Sequence, residues 1–200
     1  GRRLAAEAPD RITLLGVEAQ ATLHPTTCQP ASWVDDSAKD ILRQAGVFTW
    51  DISGTLELYV LATLRRYAYE FVGIQEAQAL LDGLERTHPA LVREVVPKVV
   101  APQLLADVLR RLVEEQISIR DMRAVLGALA EWGKAEKDPV LLTEYVRSAL
   151  RRQITFRYAE GGRNLTVYLL DPTIEEAIRG AITKTQTGSY LALEPELLCM

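Results

Sequence analysis

The chain has 200 residues and a mass of 22.3 kDa, with 48% hydrophobic and 25% charged residues, 12 Gly and 9 Pro. This composition excludes a disordered, collagen-like or disulfide-scaffold chain, and a unit of this length buries roughly 70% of its extended surface without a metal or staple. The net charge of −4, with no basic excess in either half, argues against a partner gripped through its phosphate backbone.

Arg11–Leu15 and Ala19–Leu23 are β-friendly runs around Gly16 and predict a hairpin. A proline-bracketed loop, His24 to Pro30, leads to Ala31-Ser32-Trp33-Val34. Asp35 or Asp36 then caps a helix with the apolar face Ala38, Ile41, Leu42 and Ala45, which Gly46 stops in the left-handed conformation. Val47–Trp50 reads as a short buried strand, so residues 1–50 predict a small mixed α/β unit.

From Leu56 the pattern changes. Leu56, Val60, Leu61, Leu64, Tyr67, Ala68 and Phe71 recur at helical steps, and Gly73 breaks the run. Ile74–Leu84 makes the next stripe, Pro89 and Pro97 bracket a short helix, and Pro102 opens one carrying Leu104 to Val113. Ser118-Ile119-Arg120-Asp121 reads as a capping box for a helix ending at Gly133, and Asp138-Pro139 starts another that runs to Leu150. Residues 56–152 thus predict a helical module. Ile154–Tyr158 and Leu165–Leu170 predict a hairpin across Gly161-Gly162, followed by a helix from Asp171-Pro172-Thr173 and a polar, mobile Thr183–Ser189. The fold class expected is α+β and mostly helical: a small α/β subdomain, a central helical subdomain and the start of a C-terminal α/β subdomain.

The residues supply little chemistry. Phosphate-cradle, dinucleotide, zincin and nucleophile-elbow motifs are absent, and His24 and His88 each precede a proline, where a chain-turn role is expected. Asp35, Asp36 and Asp40 read as caps and a solvated first turn rather than a metal or acid–base site, and Arg151-Arg152 as helix-end cations with an anion site as the minor reading. Trp33, Trp50 and Trp132 are assigned to core packing, with an exposed anchor the minor alternative for Trp33. No catalytic residue, cofactor or metal is expected. Cys28 and Cys199 belong to no Cys/His cluster, which suits a reducing compartment. No apolar run reaches the ~18 residues of a span, and the first residues open no signal or transit peptide, so a soluble cytoplasmic fragment of something longer is expected. Residues 104–132 have the outline of a helix-turn-helix with Arg120 and Arg123 early in the second helix, which keeps a DNA-binding regulator as the alternative.

Four stretches carry a resemblance. Ile74-Gln75-Glu76 through Leu80-Leu81, with Gly73 before it, is similar to an "IGxQExxxLL" pattern, and Pro89–Pro97 to "PxLVxExVP". Ile117–Arg123 is similar to "VSIRDxR" and Lys137–Arg147 to "KDPxxLxExVR". In this order they resemble the export-gate family of bacterial type III secretion, the flagellar/hypersensitive-response/invasion export pore family, in spelling nearer its injectisome branch. The likeness runs from about Ala19 to Pro195.

The resemblance implies membrane helices outside this chain and a cytoplasmic domain, at the inner membrane, that assembles into a nonameric ring and docks chaperone–effector complexes, gatekeeper proteins and other export components. It implies no nucleic acid, no cofactor and no enzymatic reaction. On its four-subdomain map, residues 1–24 are the tail of an inserted β-containing subdomain, 25–55 a small α/β subdomain, 56–152 the helical subdomain and 153–200 a partial C-terminal α/β subdomain. The loop is similar to the family's "PTxGxPAxW", which implies docking through Thr26, Thr27, Pro30 and Trp33; Thr26 matches the threonine tied to chaperone docking, and Cys28 stands where the family has Gly. Arg65, Arg66, Arg120, Asp121 and Arg147 are the candidates for subunit contacts, since a ring needs two distinct lateral faces.

Overall fold

A computed structural model of the chain describes residues 1–159, 162–185 and 188–192. Gly161 and Cys199 of the sequence reading, and the middle of Thr183–Ser189, lie outside these. The described chain falls into two units, Gly1–Val72 with Val113–Gln116, and Gly73–Leu112 with Ile117 onward.

The first unit is built on a four-stranded antiparallel sheet of order β2-β3-β1-β4, with β1 Arg2–Ala5, β2 Ala19–Leu23, β3 Pro30–Asp35 and β4 Thr49–Trp50. Helix α1 (Pro9–Thr13) and helix α2 (Lys39–Gln44, entered through a 3-10 turn at Asp36–Ala38) belong to the same unit. Ala5, Ile12, Val17, Val34, Ala38 and Leu42 form its core. The hairpin expected from Arg11–Leu15 is corrected to a helix: Pro9 occupies its first turn, Asp10 complements the dipole there, and only Ile12 needs to be buried. Gly46 closes α2 at φ 73°, the left-handed position that the sequence called for.

Helix α3 (Ile52–Arg66) continues this unit and contacts β1 and β4. Asp51 caps it, its Oδ1 accepting the Gly54 N–H at 2.8 Å. Its apolar stripe departs from expectation, because it does not face a core. Leu56, Val60, Leu61, Leu64, Tyr67 and Phe71 are all exposed, Leu56 and Phe71 by 60% and 66%, while small Thr55 is the residue turned inward. The helix also ends at Arg66, and Ala68–Phe71 forms a 3-10 turn.

The second unit is helical: α4 (Ile74–Glu85), α5 (Pro89–Val95), α6 (Pro102–Glu114), α7 (Met122–Trp132), α8 (Pro139–Ala149) and α9 (Arg151–Tyr158). Helix α7 packs against α4, α5 and α8, and its Val125, Leu126 and Leu129 are fully buried, as are Leu105, Leu109, Leu112, Leu142 and Val146. The capping signals hold where they are local. Asp138 accepts from Val140 N–H at 2.8 Å with Pro139 in the first turn, and Glu76 accepts from Gly73 N–H at 3.0 Å. The expected box at Ser118 shifts: Asp121 itself caps α7 through the Ala124 N–H at 3.0 Å, and Ser118 accepts from Arg120 N–H instead. Trp132, assigned to the core, is partly exposed and stacks on Tyr145 at 4.3 Å.

Toward the C-terminus two strands are corrected. Ile154–Tyr158 lies within α9, because α8 and α9 share Leu150 as their junction and the helical ladder resumes immediately; this context overrides the β-propensity of Ile154, Thr155 and Phe156. Leu165–Leu170 forms no strand. Helix α10 (Pro172–Ala181) starts at Asp171-Pro172 as anticipated, and the stretch read as mobile overlaps the antiparallel pair β5 (Ile182–Thr185) and β6 (Gly188–Leu191).

Gly133 ends α7 in a right-handed conformation, so conformational freedom is not its purpose. A Cβ there would lie 2.5 Å from the Leu129 carbonyl oxygen and 2.8 Å from Val100 Cγ2. Lys137 donates to the same Gly133 carbonyl and, at 2.8 Å, to that of Val99, which clamps the end of the helix to the α5–α6 connection. Gly133→Ala is therefore expected to destabilise the second unit by about 1–3 kcal/mol in chemical denaturation, as overpacking does; unchanged stability would contradict the tight contact.

In the first unit Arg3 donates to Asp36 at 2.8 Å, and this hydrogen bond holds the Asp36 carboxyl below its ordinary value of 3.8. A lowered carboxyl stabilises the fold fully above the ordinary aspartate range, and that support fades as pH falls through the lowered value. An NMR titration should place Asp36 below 3.8 in the parent chain and shift it upward in Arg3→Gln; a midpoint indifferent to Arg3 would contradict the pair.

Candidate functional site

The loop between β2 and β3 is the best-built feature outside the two cores. Leu23 and Pro30 are paired across the strands, so residues 24 to 29 must reverse the chain within that closure. His24 organises the reversal with both backbone groups: its N–H donates to the Gln29 carbonyl and its carbonyl accepts from Cys28 N–H, each at 2.9 Å. Its side chain is buried, lies edge-on to the Trp50 ring at 4.9 Å, and presents Nδ1 to Thr26, 3.4 Å from the backbone N–H and 3.1 Å from Oγ1. Cys28 adopts φ 56°. This is the left-handed shape that glycine takes without strain, so the loop keeps a glycine-type turn at a position where the side chain costs about 1 kcal/mol.

Within the same unit the loop faces the C-terminal half of α3 across an open groove of about 450 Å³. Pro25, Thr26 and Cys28 line one side, and Tyr59, Arg66 and Tyr67 are among the residues of the other, with Arg65 beside them. The Arg66 guanidinium lies 5.8 Å from the centre of the Tyr67 ring. Thus the structure brings together Thr26, expected in docking, with Arg65 and Arg66, expected in subunit contacts.

The other candidates lie apart. Thr27 is exposed and its Oγ1 accepts from Gln29 N–H, so it braces the loop; Pro30 starts β3. Trp33 sits on the sheet opposite Leu4 and Gln20 and lines a different groove of about 530 Å³ with Arg2, Glu18 and Asp35. Arg120, Asp121 and Arg147 all belong to the second unit. Arg120 is exposed, Asp121 is engaged in capping α7, and Arg147 binds both carboxylate oxygens of Glu144 at 2.7 and 2.8 Å. Asp35 caps its turn by accepting from Ser37 and Asp40 pairs with Arg43, both local as the sequence suggested, whereas Asp36 pairs with Arg3 of β1, far away in the chain. Arg151 and Arg152 line a shallow apolar cleft on α9 with Phe156. The connection from Glu115 to Asp121 is about twice the length of the turn in a helix-turn-helix, which leaves α6 and α7 without that motif's geometry.

Sequence reasoning placed His24 at a chain turn, as the structure has it, but did not bring its ring, Trp50, Tyr59 or Tyr67 to the loop and its groove. The one available signal was His24 directly before the proline of the matched loop. If Cys28 marks a glycine-type position, Cys28→Gly should leave stability within about 1 kcal/mol, whereas β-branched Cys28→Val should cost about 1–2 kcal/mol in denaturant unfolding; equal effects would contradict the assignment.

Against known proteins, the model of the FHIPEP family matches residues 2–199. The low calcium response locus protein D of Yersinia pestis is 41% identical over 195 residues, which cover 98% of this chain and 28% of that protein. The solved CdsV protein of Chlamydia pneumoniae, 40% identical, superposes with a TM-score of 0.84 over 99% of this chain and 56% of its own, and CdsV has also been solved in complex with CdsO. The nonameric SctV-C of EPEC is 32% identical with a TM-score of 0.75, covering 97% of this chain and 59% of that one. The chain therefore spans little more than a quarter of the length of the curated relative and just over half of the solved domains. Family-wide match, co-linear motifs and shared fold agree: the chain belongs to the FHIPEP family of type III secretion export gate proteins, in its injectisome branch.

Proposed function

We propose that this chain serves, as part of a longer protein at the bacterial inner membrane, in a cytoplasmic ring that receives chaperone–effector complexes and gatekeeper proteins and hands cargo to the export channel. Its role is docking, with no reaction of its own. The observation that carries this reading is the groove in which Thr26 faces Arg65, Arg66, Tyr59 and Tyr67. Arginine and tyrosine are the residues that dominate binding at protein interfaces, and a polar-rimmed groove suits a partner that must leave again. Beside it the exposed Leu56, Val60 and Leu64 of α3 offer apolar area of the kind that marks an interaction surface.

Ring assembly is supported by the nonameric state of the related SctV-C, and a further export component as partner by the CdsV–CdsO complex. Lateral contacts are assigned to the second unit. Arg120 is the foremost candidate there, because Asp121 and Arg147 already hold local partners.

The test is titration of a cognate chaperone–effector complex onto the complete cytoplasmic domain that contains this chain. Thr26→Ala and the double charge reversal Arg65→Glu/Arg66→Glu should each weaken capture at least tenfold, about 1.4 kcal/mol, with the assembled mass by light scattering unchanged. Unchanged capture in both variants would overturn the docking role. A lower assembled mass in the arginine variant alone would return those two residues to the subunit interface.

A further inference from the structure

We propose that His24 is a pH-dependent positioning residue: its unprotonated ring holds the Thr26 loop in the docking shape, and protonation releases it. A backbone N–H can only donate, so the contact from Thr26 N–H requires a lone pair on His24 Nδ1. The ring in this arrangement is therefore the neutral imidazole with its proton on Nε2. The Thr26 hydroxyl, 3.1 Å from the same nitrogen, shares that acceptor.

Placing a proton on Nδ1 sets two donors against each other at 3.4 Å. The hydroxyl can rotate to accept from the new N–H, but the backbone amide cannot, so Thr26 loses its fixed orientation. The ring itself has little room to turn away. His24 is 8% exposed, Trp50 lies against it at 4.9 Å with an interplanar angle of 66°, and the His24 backbone is tied at both ends by Gln29 and Cys28. The response must come from the loop, and Thr26 is its only residue held by the imidazole.

The groups that set the ring's electrostatic surroundings are few. β2 carries no ionisable side chain, and β3 none before Asp35 at its far end. The loop contributes Cys28. On the α3 side stand Asp51, next to Trp50 at the helix cap, and Tyr59, Arg65, Arg66 and Tyr67 around the groove. A protonated His24 would add a cation behind the loop, across the groove from the two arginines of α3, so protonation alters the loop and the charge near the groove together.

This inference rests on the docking reading for its consequence, but the loop is measured without any partner. NMR of the chain between pH 8 and pH 5 should show the Thr26 amide moving with the same midpoint as the His24 ring. His24→Asn places an acceptor oxygen near the position of Nδ1 and cannot titrate there, so the Thr26 amide should stay at its high-pH position throughout. His24→Phe keeps a ring against Trp50 without an acceptor, so that amide should sit near the low-pH position at every pH. A Thr26 amide that ignores the His24 titration, or that moves equally in His24→Asn, would overturn the proposal. Capture of a chaperone–effector complex then tests the consequence. It should fall at least threefold from pH 8 to pH 5 in the parent and less in His24→Asn. Capture that never depends on Thr26 defeats the docking reading, while the amide titration still decides the loop.

Discussion

Leu23 lies across from Pro30, and the rest of the site depends on that pairing. It obliges the chain to turn back within a few residues, and the cost of the turn is carried by particular groups. Cys28 takes the left-handed conformation, Thr27 braces Gln29, and His24 supplies an N–H, a carbonyl and a ring nitrogen to three different residues. Thr26 then stands at the apex with its hydroxyl and amide already aimed. A side chain ordered in this way before a partner arrives loses less entropy on binding than one on a loose loop. The sheet beneath is small, but its antiparallel register across β2, β3, β1 and β4 keeps the two ends of the loop from drifting.

Helix α3 supplies the other wall, and it is unusual in where its apolar residues go. A surface helix normally turns such a stripe toward a core. Here Thr55 faces inward, while Leu56, Val60, Leu61 and Leu64 face out. That leaves a row of aliphatic side chains beside a groove lined by two arginines and two tyrosines. The combination offers area to an apolar partner surface and directional contacts to a polar one, while Val125, Leu126 and Leu129 of α7 are buried in the core of the second unit.

The sequence disclosed what is local. Asp138-Pro139, Asp171-Pro172, Pro89 and Gly46 each mark a helix end through contacts within a few residues, and all four do so in the structure. It misled where the neighbouring chain overrides a segment's own strand propensity. Ile154–Tyr158 has strand-like residues but follows α8 without a break, and Arg11–Leu15 belongs to a helix begun by Pro9. The α3 periodicity correctly identified an apolar face and could not say whether anything covers it, since a stripe records composition and not contact. Thr26 was legible through the family motif alone. Its neighbours were not, because His24 meets Trp50, and Thr26 shares a groove with Arg66, across stretches of chain with no shared period or spacing.

The account stands on the claim that partners meet this chain at the loop and the C-terminal half of α3. Hydrogen exchange of the complete cytoplasmic domain, with and without a bound chaperone–effector complex, addresses that claim most directly. Slower exchange is predicted for the amides of residues 24–29 and 59–67 on binding. Protection confined to the second unit, with those amides exchanging as fast as before, would contradict it.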